Sequence, residues 1–177
     1  MNADDLRALQ APLKARYRDD PASACVTLRA EGDLSGSGLT CKVHAARGMA
    51  EAGLHPATGG DGAALCSGDM LLESLVACAG VTLRAVATAI GVAVRSGTVT
   101  AEGDLDFRGT LGVARDAPVG FTAIRLTFDL ESDATEEQLQ SLLKLTERYC
   151  VVYQTLKSPA QLSAAIRTPP PHSSIAI

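Results

Sequence analysis

Tryptophan is absent from this chain, and the aromatic share is only 3%. With a hydrophobic share of 46%, the chain is too apolar to be disordered and must build its core from aliphatic side chains. A basic block is also missing. The net charge is −4, and Arg16 and Arg18 stand beside Asp19 and Asp20, which excludes the electrostatic footprint of a nucleic-acid binder. The first residues, MNADDLRALQ, show no charged segment leading into an apolar run, so no signal peptide and a cytoplasmic location are expected. There is no C-x-x-C pair. The five cysteines, Cys25, Cys41, Cys66, Cys78 and Cys150, are odd in number and lack a secretory context, which argues against a disulfide framework and against structural zinc. Cys41 and His44 have ligand-like spacing, but strand alternation sends them to opposite faces, so no metal site is expected. GGDGAALCSGD, from Gly59 to Asp69, lacks the Gly-Lys-Ser/Thr ending of a phosphate loop. No internal repeat is visible, and 177 residues suit a single domain with a sizeable core.

What is present is organised around Gly68 to Val94, GDMLLESLVACAGVTLRAVATAIGVAV. Leu71, Leu72, Leu75, Val76, Ala79, Leu83, Val86, Ala87 and Ile90 recur at helical spacing and predict a helix buried on most of its circumference. It is long enough to span a bilayer, but Glu73 and Arg84 inside it would be costly in lipid, so it is read as a core helix and no membrane partner is expected. Cys78 sits near its middle, with Ser74 and Thr82 four residues to either side on the same face. Ser67 is the expected N-cap, and Asp69 suits the first turn.

Ahead of that helix, Leu6, Leu9, Leu13 and Tyr17 predict an N-terminal helix from Ala3 to Arg18, kinked or divided at Pro12. Ala24 to Glu31 alternates as a strand. Gly32 to Gly38 is a turn, and Leu39 to Ala45 returns as the second strand of a hairpin. Arg47 to Cys66 reads as a loop with one helical turn at Met49 to Ala52, and His44 and His55 as surface residues. Beyond the central helix, Thr98 to Phe107 and Ile124 to Leu130 alternate as an antiparallel pair, separated by a loop from Gly109 to Gly120. Thr135-Glu136-Glu137-Gln138 is a capping box for a helix that buries Leu139, Leu142, Leu143, Thr146 and Tyr149 and delivers Cys150 at its end. Gln161 to Arg167 reads as a last strand, and residues 168–177 as an extended tail.

Gly59-Gly60, then GDMLLESLVACAGVTL, then ERYCVVYQTL resemble the OsmC/Ohr superfamily of thiol-dependent hydroperoxide reductases, over roughly Ser23 to Ile166. The two cysteine motifs come in the right order and separation (150 − 78 = 72). The resemblance implies an α+β, OsmC-like fold: antiparallel sheets around a long central apolar helix, in an intertwined homodimer. Residues 1–20 would be a helical extension of the single domain. It implies Cys78 as the peroxidatic and Cys150 as the resolving cysteine, a small organic hydroperoxide as substrate, and an external dithiol as reductant, with no bound cofactor or metal.

A thiol in apolar surroundings needs help to ionise. The resemblance implies an Arg just after the first strand, positioned by a Glu ahead of the central helix. This chain departs at both places. The turn is GDLSGSG, without Arg, and the Glu position falls at Gly68 or Asp69, which makes Asp69 a candidate stand-in. The available cations are Arg29, Arg47, Arg84 and Arg148. Arg29 and Arg47 lead, because Arg84 points away from Cys78 on an ideal helix. Val151 stands where the family often has Pro. Cys25 and Cys66 are expected to be inert, with Cys66 the nearer to a helix N-terminus. A second reading follows from the departures: a non-catalytic module of the same fold, binding an apolar ligand at a dimer cleft or sensing redox state.

Overall fold

A computed structural model describes residues 2–24, 27, 31–33, 40–45, 48–112 and 114–167, with the backbone alone for 21–22, 31–33, 40–45, 48 and 49. The elements in chain order are α1 (Ala3–Asp19), β1 (Glu31–Asp33), β2 (Thr40–Ala45), β3 (Gly48–Gly53), β4 (Leu65–Cys66), α2 (Ser67–Ile90), β5 (Ser96–Leu105), α3 (Phe107–Thr110), β6 (Phe121–Glu131), α4 (Glu136–Tyr149) and α5 (Val151–Lys157). Short 3-10 turns cover Pro21–Ala24 and Pro56–Thr58.

The central helix is α2. Leu75, Ala79, Leu83, Val86 and Ala87 form its buried face, and Gly91 closes it in the left-handed region at φ 73°, where a side chain would be strained. On the side opposite the buried face Val81 is 74% exposed and Ala77 is exposed with it, and Leu71 is exposed in the first turns. Against the buried face lie β5 and β6, paired antiparallel from Ser96↔Glu131 to Leu105↔Phe121. Alternation works here as expected, since Val99, Ala101, Ile124, Leu126, Phe128 and Leu130 turn inward and Thr98, Thr100, Glu102, Arg125, Thr127 and Asp129 outward. The capping box is formed, with Thr135 Oγ1 accepting the Gln138 N–H and the Gln138 side chain accepting the Thr135 N–H. It starts α4, which lays Leu142 and Thr146 on α2.

Several expectations are corrected. Pro12 lies within α1 without dividing it, and an unforeseen capping box, Asn2 with Asp5, starts that helix. Ala24 ends a 3-10 turn rather than beginning a strand, and most of the strand expected after it lies outside the described residues. The hairpin exists as β1 with β2, and β1 occupies Glu31–Asp33, partly inside the expected turn. Met49 to Ala52 is not helical. It belongs to β3, because the edge of β2 offers it a full ladder of partners, and tertiary pairing overrides the helical preference of Met and Ala. β4 joins β3 in parallel, so this four-stranded sheet is mixed rather than wholly antiparallel. The cap of α2 is Cys66, with Ser67 already helical. Phe107 leaves its strand and opens α3, capped by Asp106. Tyr149 is 58% exposed rather than buried. Residues 161–167 form no strand; Leu162 and Ile166 are 94% and 95% exposed, with no strand edge beside them among the described residues. The tail 168–177 lies outside the description.

Candidate active site

Helix α2 carries Cys78 between two buried neighbours, Leu75 and Ala79, so its thiol sits half-buried at the margin of the core. Cys150 comes to it from 72 residues away (150 − 78). At Cys150 the backbone is extended (φ −74°, ψ 111°), which ends α4 and starts α5 in one residue. Its N–H completes α4 by donating to the Thr146 carbonyl at 2.9 Å, its own carbonyl accepts the Gln154 N–H at 2.9 Å, and its Sγ accepts the Tyr153 N–H at 3.5 Å. One cysteine thus caps two helices and is only 1% exposed. Both thiols are free, and Cys78 packs against the buried cluster that holds Cys150.

Their environments push the two apart. Burial alone would raise Cys78. Against it stand the Val152 N–H, the Cys150 thiol, the Val151 N–H and the Thr82 hydroxyl, and together they hold Cys78 below the ordinary thiol value. Burial also raises Cys150. The N–H groups of Tyr153 and Val152 oppose that, but the hydrogen bond to Cys78 and the negative charge there reinforce it, so Cys150 keeps its proton above the ordinary value. Of the two, Cys78 is therefore the more acidic thiol and Cys150 the less acidic one.

No cation appears among the described groups that act on Cys78. Arg84 is exposed, and Arg148 lies over the Tyr149 ring at 5.5 Å. Arg29 and Arg47 lie outside the described residues. Asp69 is not brought to the thiol. Nine residues along α2 amount to roughly 13 Å and half a turn about the axis, and Asp69 is exposed on a shallow groove with Leu72 and Glu73. Ser74 is corrected as well: its hydroxyl donates to the Met70 carbonyl at 2.8 Å, which leaves Thr82 as the hydroxyl partner.

What the sequence reading missed is α5. The β-branched pair Val151-Val152 and Thr155 masked a helix, and its Val152 packs against the same buried cluster as Cys78. The signal that was available is the absence of proline at 151, which leaves the Val151 N–H in place.

A cavity of about 400 Å³ opens beside Cys150 between β6 and the α4–α5 elbow, lined by Leu75, Phe121, Ile124, Glu147 and Tyr153 among others. Burial, and then the Glu147 carboxylate to which it hydrogen-bonds, pushes the Tyr153 phenol up. A smaller cavity, about 170 Å³, brings Cys66 near His55, Phe107 and Phe121. His55 is half-buried there rather than a surface residue, stacked on Phe107 at 4.9 Å with Nδ1 accepting the Ala57 N–H at 3.0 Å. Cys25 lies outside the described residues, and no His/Cys/Asp/Glu cluster suited to a metal occurs among the described ones.

A family model described as OsmC-like protein matches residues 59–164, well over half of the chain. No curated protein matches it. Among solved structures it is similar to an OsmC-like protein from Mycoplasma pneumoniae, with a TM-score of 0.63 and 15% identity over 76% of this chain and 89% of that one. It is similar to an organic hydroperoxide resistance protein from Elizabethkingia anophelis, with a TM-score of 0.60 and 16% identity over 76% and 91%. A third is the organic hydroperoxide resistance protein OsmC from Legionella pneumophila, with a TM-score of 0.59 and 15% identity over 75% and 90%. At these identities the likeness is one of fold.

Proposed function

The chain belongs to the OsmC-like protein family, and on that footing we propose that it is a thiol-dependent peroxidase that reduces organic hydroperoxides. The observation that carries this reading is the Cys78–Cys150 contact, with Cys78 favoured as thiolate and Cys150 as thiol. The Cys78 thiolate attacks the distal oxygen of ROOH. The O–O bond breaks, RO⁻ leaves and takes a proton as ROH, and Cys78 becomes a sulfenic acid. The Cys150 thiol condenses with it, an S–S bond forms and water leaves. An external dithiol then exchanges with the disulfide and restores both thiols. Apolar side chains around the pair, Leu75, Ala79, Val99 and Val152, favour a substrate with an organic body over hydrogen peroxide. Two solved structures of similar fold are named as organic hydroperoxide resistance proteins, which supports the same chemistry.

The acting unit in this reading is a homodimer. The exposed α2 side chains Leu71, Ala77 and Val81, and the segment bearing Leu162 and Ile166, are apolar surface a second copy would cover. Sedimentation should give a dimer at micromolar concentration, and a stable monomer would remove this part.

Consumption of cumene hydroperoxide with a dithiol tests the chemistry. Wild type should turn over and Cys78→Ser should not. In Cys150→Ser, a sulfenic-acid trap should label Cys78 after one equivalent of hydroperoxide. The cavity beside Cys150 favours one other reading, a non-catalytic module that holds an apolar ligand. Equal, negligible turnover in wild type and Cys78→Ser would select that one.

A further inference from the structure

Phe121 opens β6 out of step with the rest of the strand. Ile124, Leu126, Phe128 and Leu130 turn inward, and strict alternation would send Thr122 in with them and Phe121 outward. The ladder shifts before that point. Asp104 faces Ala123, but Leu105 faces Phe121, a register shift that skips Thr122. The skipped Thr122 is exposed, with its hydroxyl donating to the Asp104 carbonyl at 3.1 Å, and Phe121 is half-buried. Two glycines leave room for the ring. A Cβ at Gly103 would stand 2.4 Å from Phe121 Cε1, and one at Gly68 would stand 3.4 Å from its Cζ. The ring therefore fills the place of a missing side chain on β5 and reaches the first turn of α2.

That place is a boundary. Among the described residues, Phe121 alone lines both the cavity of about 400 Å³ beside Cys150 and the cavity of about 170 Å³ beside Cys66. The larger cavity follows β6 from Phe121 to Phe128, so Phe121 stands at one end of it along the strand. Its wall includes Leu75 and Ala79, the buried neighbours of Cys78 on α2. We propose that Phe121 is a specificity-determining residue: its ring is the end wall of the cavity that takes the apolar tail of the hydroperoxide, and it sets the length of straight tail that fits by closing off the smaller cavity behind it. Each methylene that finds room should strengthen binding about fourfold, and one that meets the ring should add nothing. The inference rests on the reading of this site as a hydroperoxide site, but the binding arm of its test needs no peroxide.

The experiment is calorimetric binding of straight-chain 1-alkanols, hexanol to dodecanol, to wild type, Phe121→Ala, Phe121→Leu, Leu72→Phe and the double variant Phe121→Ala/Leu72→Phe. Alkanols carry the tail and hydroxyl of the proposed product without the reactive O–O bond. Leu72 lines the smaller cavity and not the larger, so phenylalanine there fills only the far side of the wall. In wild type, affinity should rise about fourfold per methylene to a break and then stop rising. In Phe121→Ala the rise should continue past that break. There the longer alkanols should also slow iodoacetamide alkylation of Cys66, read by peptide mass spectrometry, in proportion to the fraction bound. They should leave Cys66 of wild type unprotected. Leu72→Phe should not move the break on its own and should restore it in the Phe121→Ala background, since both act on one space. A break that stays put in Phe121→Ala, a wild-type series without a break, Cys66 protected in wild type, or no alkanol binding to wild type overturns the proposal. If Phe121→Ala fails to fold, Phe121→Leu decides, and an unmoved break there overturns it. In wild type, kcat/KM for straight-chain alkyl hydroperoxides should break at the same length. Failure of the peroxidase reading would show separately, as absent cumene hydroperoxide turnover in wild type with the alkanol series intact.

Discussion

Two stretches of α2 pack under the same pair of strands, β5 and β6, and differ in what else they meet. Toward its C-terminal end, Leu83, Val86 and Ala87 join Val92 and Leu142 in an aliphatic cluster, with Phe128, Leu130 and Leu145 around it. Toward the middle, Leu75 and Ala79 join Cys150, with Cys78, Val152 and Tyr153 against them and a cavity alongside. The first cluster contains no group that can change its charge. The second holds two thiols in contact, turned in opposite directions by their surroundings. One long apolar helix therefore supplies an aliphatic anchor toward one end and a pair of thiols in the adjoining turns. Aliphatic packing holds α4 in place, and α4 ends on Cys150.

If that division is right, substitutions should separate activity from stability. The largest effect is expected in the thiol cluster. Cys78→Ser should lose hydroperoxide turnover altogether, and Cys150→Ser should stop after one equivalent, while both unfold in urea close to wild type. Turnover surviving in Cys78→Ser would place the chemistry elsewhere.

In the aliphatic cluster, Leu142→Ala should cost about 2–5 kcal/mol of stability from lost burial and the cavity left behind, read by urea unfolding. Its Cys78 alkylation profile should remain that of wild type wherever the protein is still folded. A shifted profile would mean that the two clusters are coupled.

The pH dependence sharpens the contrast within the thiol cluster. Cys78 lies below its ordinary value, so its alkylation should rise through a lower midpoint than that of Cys150, which lies above. For stability the signs oppose. The contribution of Cys78 is full above the unfolded thiol value and is lost as pH falls through its folded value. That of Cys150 is full below the unfolded value and is lost as pH rises through its folded value. Site-resolved alkylation between pH 5 and 10 measures both midpoints, and Cys150 titrating first would reverse the assignment.

The smallest effect is expected at the far end of α4. Thr135→Ala removes one side of a capping box and should cost about 1 kcal/mol. It should do nothing to either thiol, because Cys150 lies at the other end of the helix. Thermal unfolding with the alkylation profile as control checks it.

Periodic side chains were legible in advance because their pattern is a local property of the chain. The buried face of α2, the alternation of β5 and β6, the capping box of α4 and the delivery of Cys150 at its end all follow from spacing and local chemistry. Cys78 and Cys150 stood out as candidates only as a pair of motifs. What surrounds them was not, because no spacing in the chain reports a contact across 72 residues (150 − 78). Met49 to Ala52 became strand because a neighbouring edge was there to pair with, and Gln161 to Arg167 forms no strand, with no edge beside it among the described residues. Asp69 and Ser74 are in the right helix, but one is half a turn away from the thiol and the other donates to its own backbone. Val152 of α5 packs against the same buried cluster as Cys78, which no sequence pattern distinguishes. The sequence by itself determined which helices and strands can form and which thiols they carry. Only the tertiary structure decided that α5 packs on the cluster beside Cys78, since that depends on how one helix is broken and laid against another.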